Sequence, residues 1–354
     1  MLENHNPLMD FARKIECSVK LPTNGCWYDD DITFNSIGEV NIKPMLPVDE
    51  MMVVNPETLI SGDAIIKVIE SCCPDINGAK KLYYPDVNVL LLGIKKASYG
   101  DELKQSATCP KCYNVKTKLE ENELIQLLKD KQDYKEQNGQ DAYITAEEYT
   151  SLEEKAKEKI APIIKEMEDN KKICLTPQEY TYSIDSIMSN MTFLPKDPYI
   201  ELENGLKIYV SPYKCIDKIK ISVKTIKNKN LYKSIITTND GLEDGDEAKI
   251  KLLLDRVGNF YNEVSNDTIE LLTNSIIKIK LPDGTFVENK EYIGQFLKNV
   301  TGKVIKKISD EVDKLNKCGI QDTLPMECGC CGHKWDEPFY GFNQSDFFGI
   351  GSWH

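Results

Sequence analysis

Two Cys-x-x-Cys pairs, Cys109-Pro110-Lys111-Cys112 and Cys328-Gly329-Cys330-Cys331, stand far apart in the chain. Each spacing lets two thiolates reach one metal ion, and together the pairs supply the four ligands of a closed tetrahedral zinc site. Such a site has no open coordination position, so it ties segments together and polarises no substrate. The expectation is one structural zinc per chain, held by Cys109, Cys112, Cys328 and Cys331, clasping an N-terminal unit to a C-terminal one. Buried free thiols or two unrelated knuckles are the competing readings. Cys17, Cys26, Cys72, Cys73, Cys174, Cys215 and Cys318 are scattered and read as small core hydrophobes. Cys330 either points away from the ion or substitutes for a neighbour.

A chain of 354 residues exceeds what a single core usually serves, so two or three packed units are expected. No stretch approaches the roughly 20 apolar residues of a membrane span, and Met1 to His5 carries no export pattern, which places the protein in the cytosol with reduced cysteines. The net charge of −13 is repelled by phosphate backbones, and only Arg13 and Arg256 offer bidentate guanidinium contacts. Nucleic acid is therefore an unsuited partner. The nearest thing to a basic tract, Lys214 to Lys233, alternates lysine with apolar residues as in Lys218-Ile219-Lys220-Ile221, which predicts an exposed strand face.

The first segment, 1–130, begins with a turn-rich stretch at Leu21 to Tyr28 and continues into a hairpin through Ile37 to Ile42 with Gly38 at its turn. Ile65, Val68, Ile69 and Cys72 then give helical spacing ended by Pro74, and Pro85 opens a second helix reaching Gly100. Val87, Val89, Leu90, Leu91, Leu92 and Ile94 make that second helix apolar nearly all round, so it should be surrounded by protein. A loop holds the first cysteine pair, followed by a helix from about Glu120 to Leu128. The segment 131–200 reads as a helical insertion. Thr145-Ala146-Glu147-Glu148 is a capping box, Tyr149, Leu152, Ala156, Ile160, Ile163 and Met167 form a stripe, and Pro162 should bend the helix.

The C-terminal segment, 201–354, opens with strand-like Leu206 to Val210. A helix after Gly245 follows, with Ile250, Leu253, Leu254, Val257, Phe260, Tyr261 and Val264 on one side. Ile277 to Val287 is a hairpin turning on Asp283-Gly284, and two more helices lead to a stop at Gly319. Both cysteine pairs are thus expected on loops just beyond a helix, in an α+β protein. Trp335, Phe339, Tyr340, Phe342, Phe347, Phe348 and Trp353 gather near the end, as candidates either for a subunit interface or for closing over the knuckle.

An ordered set of short motifs resembles the baseplate protein family of T-even-like contractile-tailed phages. The set comprises Leu21-Pro22-x-x-Gly25, a Gly-Glu-Val hairpin with Pro44-Met45, Glu50, Ser61-Gly62, Leu90-Leu91-Leu92 with Ser98-Tyr99-Gly100, Cys109-Pro110-x-Cys112, and Cys328-x-x-Cys331-Gly332 before Phe347-Phe348. The resemblance covers roughly 15–130 and, more loosely, 200–350, while the middle helix and the tail from Gly349 depart from it. It implies a structural role among baseplate hub and wedge subunits in the virion, with assembly in the host cytoplasm. It equally implies, as an alternative, a hub assembly chaperone absent from the mature particle.

Catalysis finds little support. His5, His333 and His354 are the only histidines, two of them terminal, and His333, two residues past Cys331, reads as an exposed knuckle residue, the alternative being a ligand in place of one thiolate. No His-x-Glu precedes a Pro-Cys-x-x-Cys, and no glycine-rich loop cradles a phosphate. Asp29-Asp30-Asp31 and Glu243-Asp244-x-Asp246 read as solvated turns. No small-molecule substrate and no membrane partner is implied. A cytosolic thiol oxidoreductase using Cys109 and Cys112 is the remaining competitor. It needs its attacking cysteine at a helix N-terminus, where the dipole lowers the thiol pKa. Tyr113 to Lys118 alternates like a strand, so a zinc knuckle fits better.

Overall fold

Short strands and amphipathic helices alternate along the chain, which a computed structural model describes over residues 13–25, 27–28, 39–54, 63–220, 223–224, 247–321 and 323–338. Gly38, Cys26, Ser61-Gly62, His5, His354 and the expected tail aromatics other than Trp335 lie outside these residues. Helices and short sheets mix throughout, as an α+β chain requires. The packing forms two compact units whose limits differ from the expected boundaries at 130 and 200. One consists of Leu103–Tyr182 with Thr323–Phe339, and the other takes in the described residues outside those stretches.

In the larger unit, strands β1 (Cys17–Lys20) and β2 (Glu39–Ile42) pair antiparallel, Val19 opposite Val40. Helix α1 spans Pro47–Val54, α2 Asp63–Cys72 and α3 Tyr84–Tyr99. Helix α3 is enclosed as its continuous apolar sequence predicts, with Val87, Val89, Leu90, Leu91, Leu92, Gly93 and Ile94 all buried. Gly93 is where the hairpin rests on the helix. A Cβ there would lie 2.8 Å from Val19 Cγ1 and 2.9 Å from Ile42 Cδ1.

Asp86, in the first turn of α3, is fully buried and receives three hydrogen bonds. The Thr23 N–H donates to Oδ1 at 3.0 Å, and the Thr23 and Tyr28 hydroxyls each donate to Oδ2 at 2.6 Å. Tyr28 Oη accepts in turn from the Tyr83 N–H at 2.8 Å, so one carboxyl fastens the turn after β1 to the start of α3. Burial pushes the Asp86 pKa up to about 6, and the Thr23 and Tyr28 hydrogen bonds only partly oppose it.

Strands β5 (Tyr199–Glu201), β6 (Lys207–Val210), β7 (Ile276–Lys280) and β8 (Phe286–Val287) form an antiparallel sheet in that order, within the same unit. Its inner residues Ile200, Ile208, Val210, Ile276 and Ile279 share a core with Leu272, Ile293, Leu297, Ile308, Val312 and Leu315. After α4 (Pro110–Gln137), α5 (Ala146–Asp169) and α6 (Ile184–Ser189), those last residues come from α7 (Glu247–Ser275), α8 (Lys290–Asn299) and α9 (Gly302–Asn316). The Asp-Gly turn forms as expected, with Gly284 at φ 92° and the Thr285 N–H donating to Asp283 Oδ1. Lys290 caps the C-terminal end of α7 by donating to the carbonyls of Thr273, Asn274 and Ile276. Of the α7 side chains expected on one buried side, those from Ile250 to Tyr261 lie outside the described residues, and Val264 is exposed.

The strand expected in the tract from Lys214 to Lys233 does not form over residues 215–220, which are helical with Cys215 and Asp217 buried, and residues 221–222 and 225–233 lie outside the described residues. Four alternating residues fit one helical turn as well as a short strand, and here the Asp217 and Lys218 N–H groups both turn back to the Lys214 carbonyl at 3.1 Å, which closes a helical turn.

Two outcomes follow from these contacts. Gly93→Ala should cost about 1–3 kcal/mol in urea unfolding, since Val19 and Ile42 must both give way. Asp86 binds its proton more tightly in the folded state than in the unfolded one. Its contribution is therefore fully present below about pH 4 and is lost as pH rises through about 6, roughly 3 kcal/mol in all. Asp86→Asn should flatten the stability profile between pH 4 and 7, and a profile as steep as the parent's would exclude Asp86 as its source.

Candidate metal centre

The smaller unit is assembled around sulfur. Strand β3 (Glu102–Ala107) delivers the chain to Cys109, which caps helix α4 (Pro110–Gln137) with Pro110 at its first position. Cys112 sits one turn inside. The other pair forms the tip of the hairpin joining β9 (Thr323–Glu327) to β10 (Lys334–Pro338). There the Gly332 N–H donates to the Cys328 carbonyl and the Cys328 N–H to the His333 carbonyl, both at 2.9 Å, with Gly332 at φ 64°. That tight turn folds both sulfurs to one side. The contexts differ from the expected pair of loops after helices, since one pair starts a helix and the other ends a hairpin.

The four sulfurs come together. Cys109 Sγ is 3.7 Å from Cys331 Sγ, Cys112 Sγ is 4.0 Å from Cys328 Sγ, and all four ligand atoms lie within 4.8 Å of one another. A tetrahedron of sulfurs at the usual zinc distance of about 2.3 Å has edges of about 3.8 Å, so the spacing fits one ion and is far too long for a disulfide. Backbone N–H groups of Cys112 and Cys174 point at the Cys109 and Cys112 sulfurs, and those of Cys331 and Cys330 at Cys328. Burial pushes the Cys109 and Cys112 thiols up. It pushes Cys328 up too, but the two N–H groups and the thiols of Cys331 and Cys109 outweigh it and bring Cys328 down to about 7. Four thiolates so close need a cation between them, which is the chemistry a closed four-sulfur site provides.

Both pairs belong to one compact unit, where the cluster brings the stretch after β3 together with the hairpin β9–β10. The segment read as an insertion is part of the same unit. Its helix α5 (Ala146–Asp169) opens with the expected capping box, Thr145 Oγ1 accepting from the Glu148 N–H at 3.3 Å and Glu148 Oε2 from the Thr145 N–H at 3.2 Å. It runs through Pro162 and packs beside α4, and Lys135 ties the connection by donating to the Tyr143 carbonyl and to Glu148. Ile160, Ile164 and Ile173 wall the cysteines. Of the expected stripe, Ala156 and Ile160 are buried and Met167 packs against the cysteine cluster, whereas Ile164 is buried in place of Ile163, and Ile163 and Tyr149 are exposed.

A strand over Tyr113 to Lys118 does not form. Helix α4 begins at Pro110, so the cysteine pair does occupy a helix N-terminus, the position a thiol oxidoreductase uses. Access and acidity argue otherwise, because Cys109 and Cys112 are each 1% exposed and their thiols are raised, not lowered. Cys330 points away and donates to the Lys171 carbonyl at 2.7 Å. His333 stands outside the sulfur cluster, half-buried and stacked on Trp335 with ring centroids 6.0 Å apart. Trp335 also meets Tyr180 edge to face, and strand β4 (Gln178–Ser183) is fixed to the hairpin by Tyr180 and Tyr182 hydroxyls donating to the Glu327 and Pro325 carbonyls. Ile164, Ile173, Tyr180 and Tyr182 carry no motif that marks them as part of this site. The alternation of Tyr180 and Tyr182 was the available signal.

No curated protein and no solved structure matches the chain. The sequence family described as T4 bacteriophage base plate protein matches residues 13–197 and 207–349, which takes in all four clustered cysteines and also α5, placed outside the resemblance by its motifs. With nearly its whole length matched, the chain belongs to the T4 bacteriophage base plate protein family.

Proposed function

We propose that this chain is a structural part of the hub region of a contractile-tail base plate, acting through contacts with other hub and wedge subunits, and that it carries one structural zinc and no catalytic site. The observation that carries the reading is the family match along both stretches of the chain, with the four-cysteine cluster inside it. Zinc held by Cys109, Cys112, Cys328 and Cys331 would stabilise the smaller unit, whose core is small and built largely of those cysteines and three isoleucines. The burial of Cys109 and Cys112 supports a structural use over disulfide exchange. The protein would be made and assembled in the host cytoplasm and retained in the virion tail.

Metal analysis tests the zinc separately from the role. Purified protein should hold about one zinc per chain, and Cys112→Ser or Cys328→Ser should lose it along with on the order of 5 kcal/mol of stability in the smaller unit, given that structural zinc supplies about 10–16 kcal/mol to small domains. Metal-free protein with four readily titrated thiols at these positions would remove the zinc from this account. For the role, mass spectrometry of purified particles should find the chain in stoichiometric amount with other base plate proteins. Its absence from finished particles, with presence in assembly intermediates, would instead identify an assembly chaperone.

A further inference from the structure

The sheet β5-β6-β7-β8 has two unlike faces. One is buried in the core already described. On the other, the register sets Tyr199, Tyr209 and Lys278 in one row and Glu201, Lys207, Lys280 and Phe286 in the next. The rings run together across the strands, Tyr199 to Tyr209 at 5.5 Å and Tyr209 to Phe286 at 6.2 Å. Lysines lie over them. Lys207 Nζ is 5.0 Å from the Tyr199 ring centre, Lys278 Nζ is 5.2 Å from Tyr209 and 4.8 Å from Phe286, and Lys280 Nζ is 5.5 Å from Phe286. Tyr199 and Phe286 remain 47% and 46% exposed.

Charge on this face runs against the rest of the molecule. The chain carries −13, yet these rows hold three lysines and one carboxylate, Glu201, which is paired with Lys207 at 3.6 Å. Among the described residues Lys278 and Lys280 have no carboxylate in ion-pairing range. A lysine over a ring is attracted to the π face while its outward side stays hydrated, so both ammonium groups are poised to meet an incoming anion. They stand two residues apart on one strand face, about 7 Å, which is the spacing of carboxylates at alternate positions of an extended segment. The exposed rings beside them give such a segment apolar footing, and aromatic anchors rimmed by charge are what protein interfaces use.

We propose that this aromatic and lysine face docks an extended acidic segment of another base plate protein, with carboxylates two residues apart meeting Lys278 and Lys280 and its remaining side chains resting on Tyr199, Tyr209 and Phe286. The identity of the partner as a base plate protein rests on the role proposed above, whereas the binding chemistry does not. A single-stranded nucleic acid fits less well. No arginine stands in either row to fork a phosphate, and with Lys207 paired to Glu201 only Lys278 and Lys280 are left to meet anions, fewer than the run of phosphate contacts that carries nucleic-acid binding.

The test uses the full chain and a fluorescein-labelled peptide of alternating Glu and Pro, followed by fluorescence anisotropy. Saturable binding is expected, weakened about tenfold or more by the double substitution Lys278→Glu, Lys280→Glu and by Tyr209→Ala, and by added salt. Both variants change solvent-facing side chains, so unchanged circular dichroism would keep a loss of binding attributable to the face. Failure to bind, or equal binding by the double variant, overturns the proposal. So does tighter binding of oligothymidylate through the same lysines, which would assign the face to nucleic acid. A dimer in light scattering that the double variant dissolves would assign it to a second copy of the chain, again overturning the proposal. None of these results depends on whether the protein is found in particles.

Discussion

The convergence of four cysteine sulfurs is the constraint on which the smaller unit depends. Its strands are short pairs, its long helices pack mainly on each other, and the buried residues around the cluster are few. The hairpin β9–β10 arrives from a part of the chain some two hundred residues distant from α4, as the separation of 222 between Cys109 and Cys331 states. Closing so long a loop costs entropy that a handful of isoleucines and tyrosine hydrogen bonds offsets only in part. Sulfurs spaced for a tetrahedral ion add a further connection between the two stretches, beside the Tyr180 and Tyr182 hydrogen bonds.

The larger unit is held differently. Around its four-stranded sheet the stabilising surface is aliphatic and extensive, from Ile208 and Ile276 on the strands to Leu297, Ile308 and Val312 on the helices. Polar groups act there as fasteners at element ends. Asp86 ties the turn after β1 to α3, and Lys290 satisfies carbonyls at the end of α7. The result is a sheet with one face committed to the core, leaving the other to present tyrosine, phenylalanine and lysine to solvent.

Much of the local structure was legible because it is written in local chemistry. Pro85 and Gly100 bracket α3, the Thr145 capping box starts α5, and Asp283-Gly284 turns the β7–β8 hairpin, each through contacts a few residues apart. Misreadings came where alternation ran for only a few residues. Tyr113, Val115 and Thr117 suggested a strand, but Pro110 at the first helical position and the long run of lysine, glutamate, glutamine and leucine that follows favour a helix, with Cys112 anchoring its first turn. Ile163 continues the stripe of Ala156 and Ile160 at helical spacing as Ile164 does, and only the side that α4 covers makes Ile164 the buried one. For α5, helical periodicity fixes that a face exists, and only the neighbour fixes its centre.

The sequence by itself singled out the four sulfurs that converge, since Cys-x-x-Cys spacing lets two sulfurs point to one place. It also determined the family, through motifs that the match extends along almost the whole chain. Tertiary structure alone decided which unit the sulfurs close, that α5 walls them, and that tyrosines, phenylalanine and lysines from four strands share one open face. Those outcomes depend on pairings between residues tens to hundreds of positions apart, and their free energy resides in burial and register, which no local window of sequence contains.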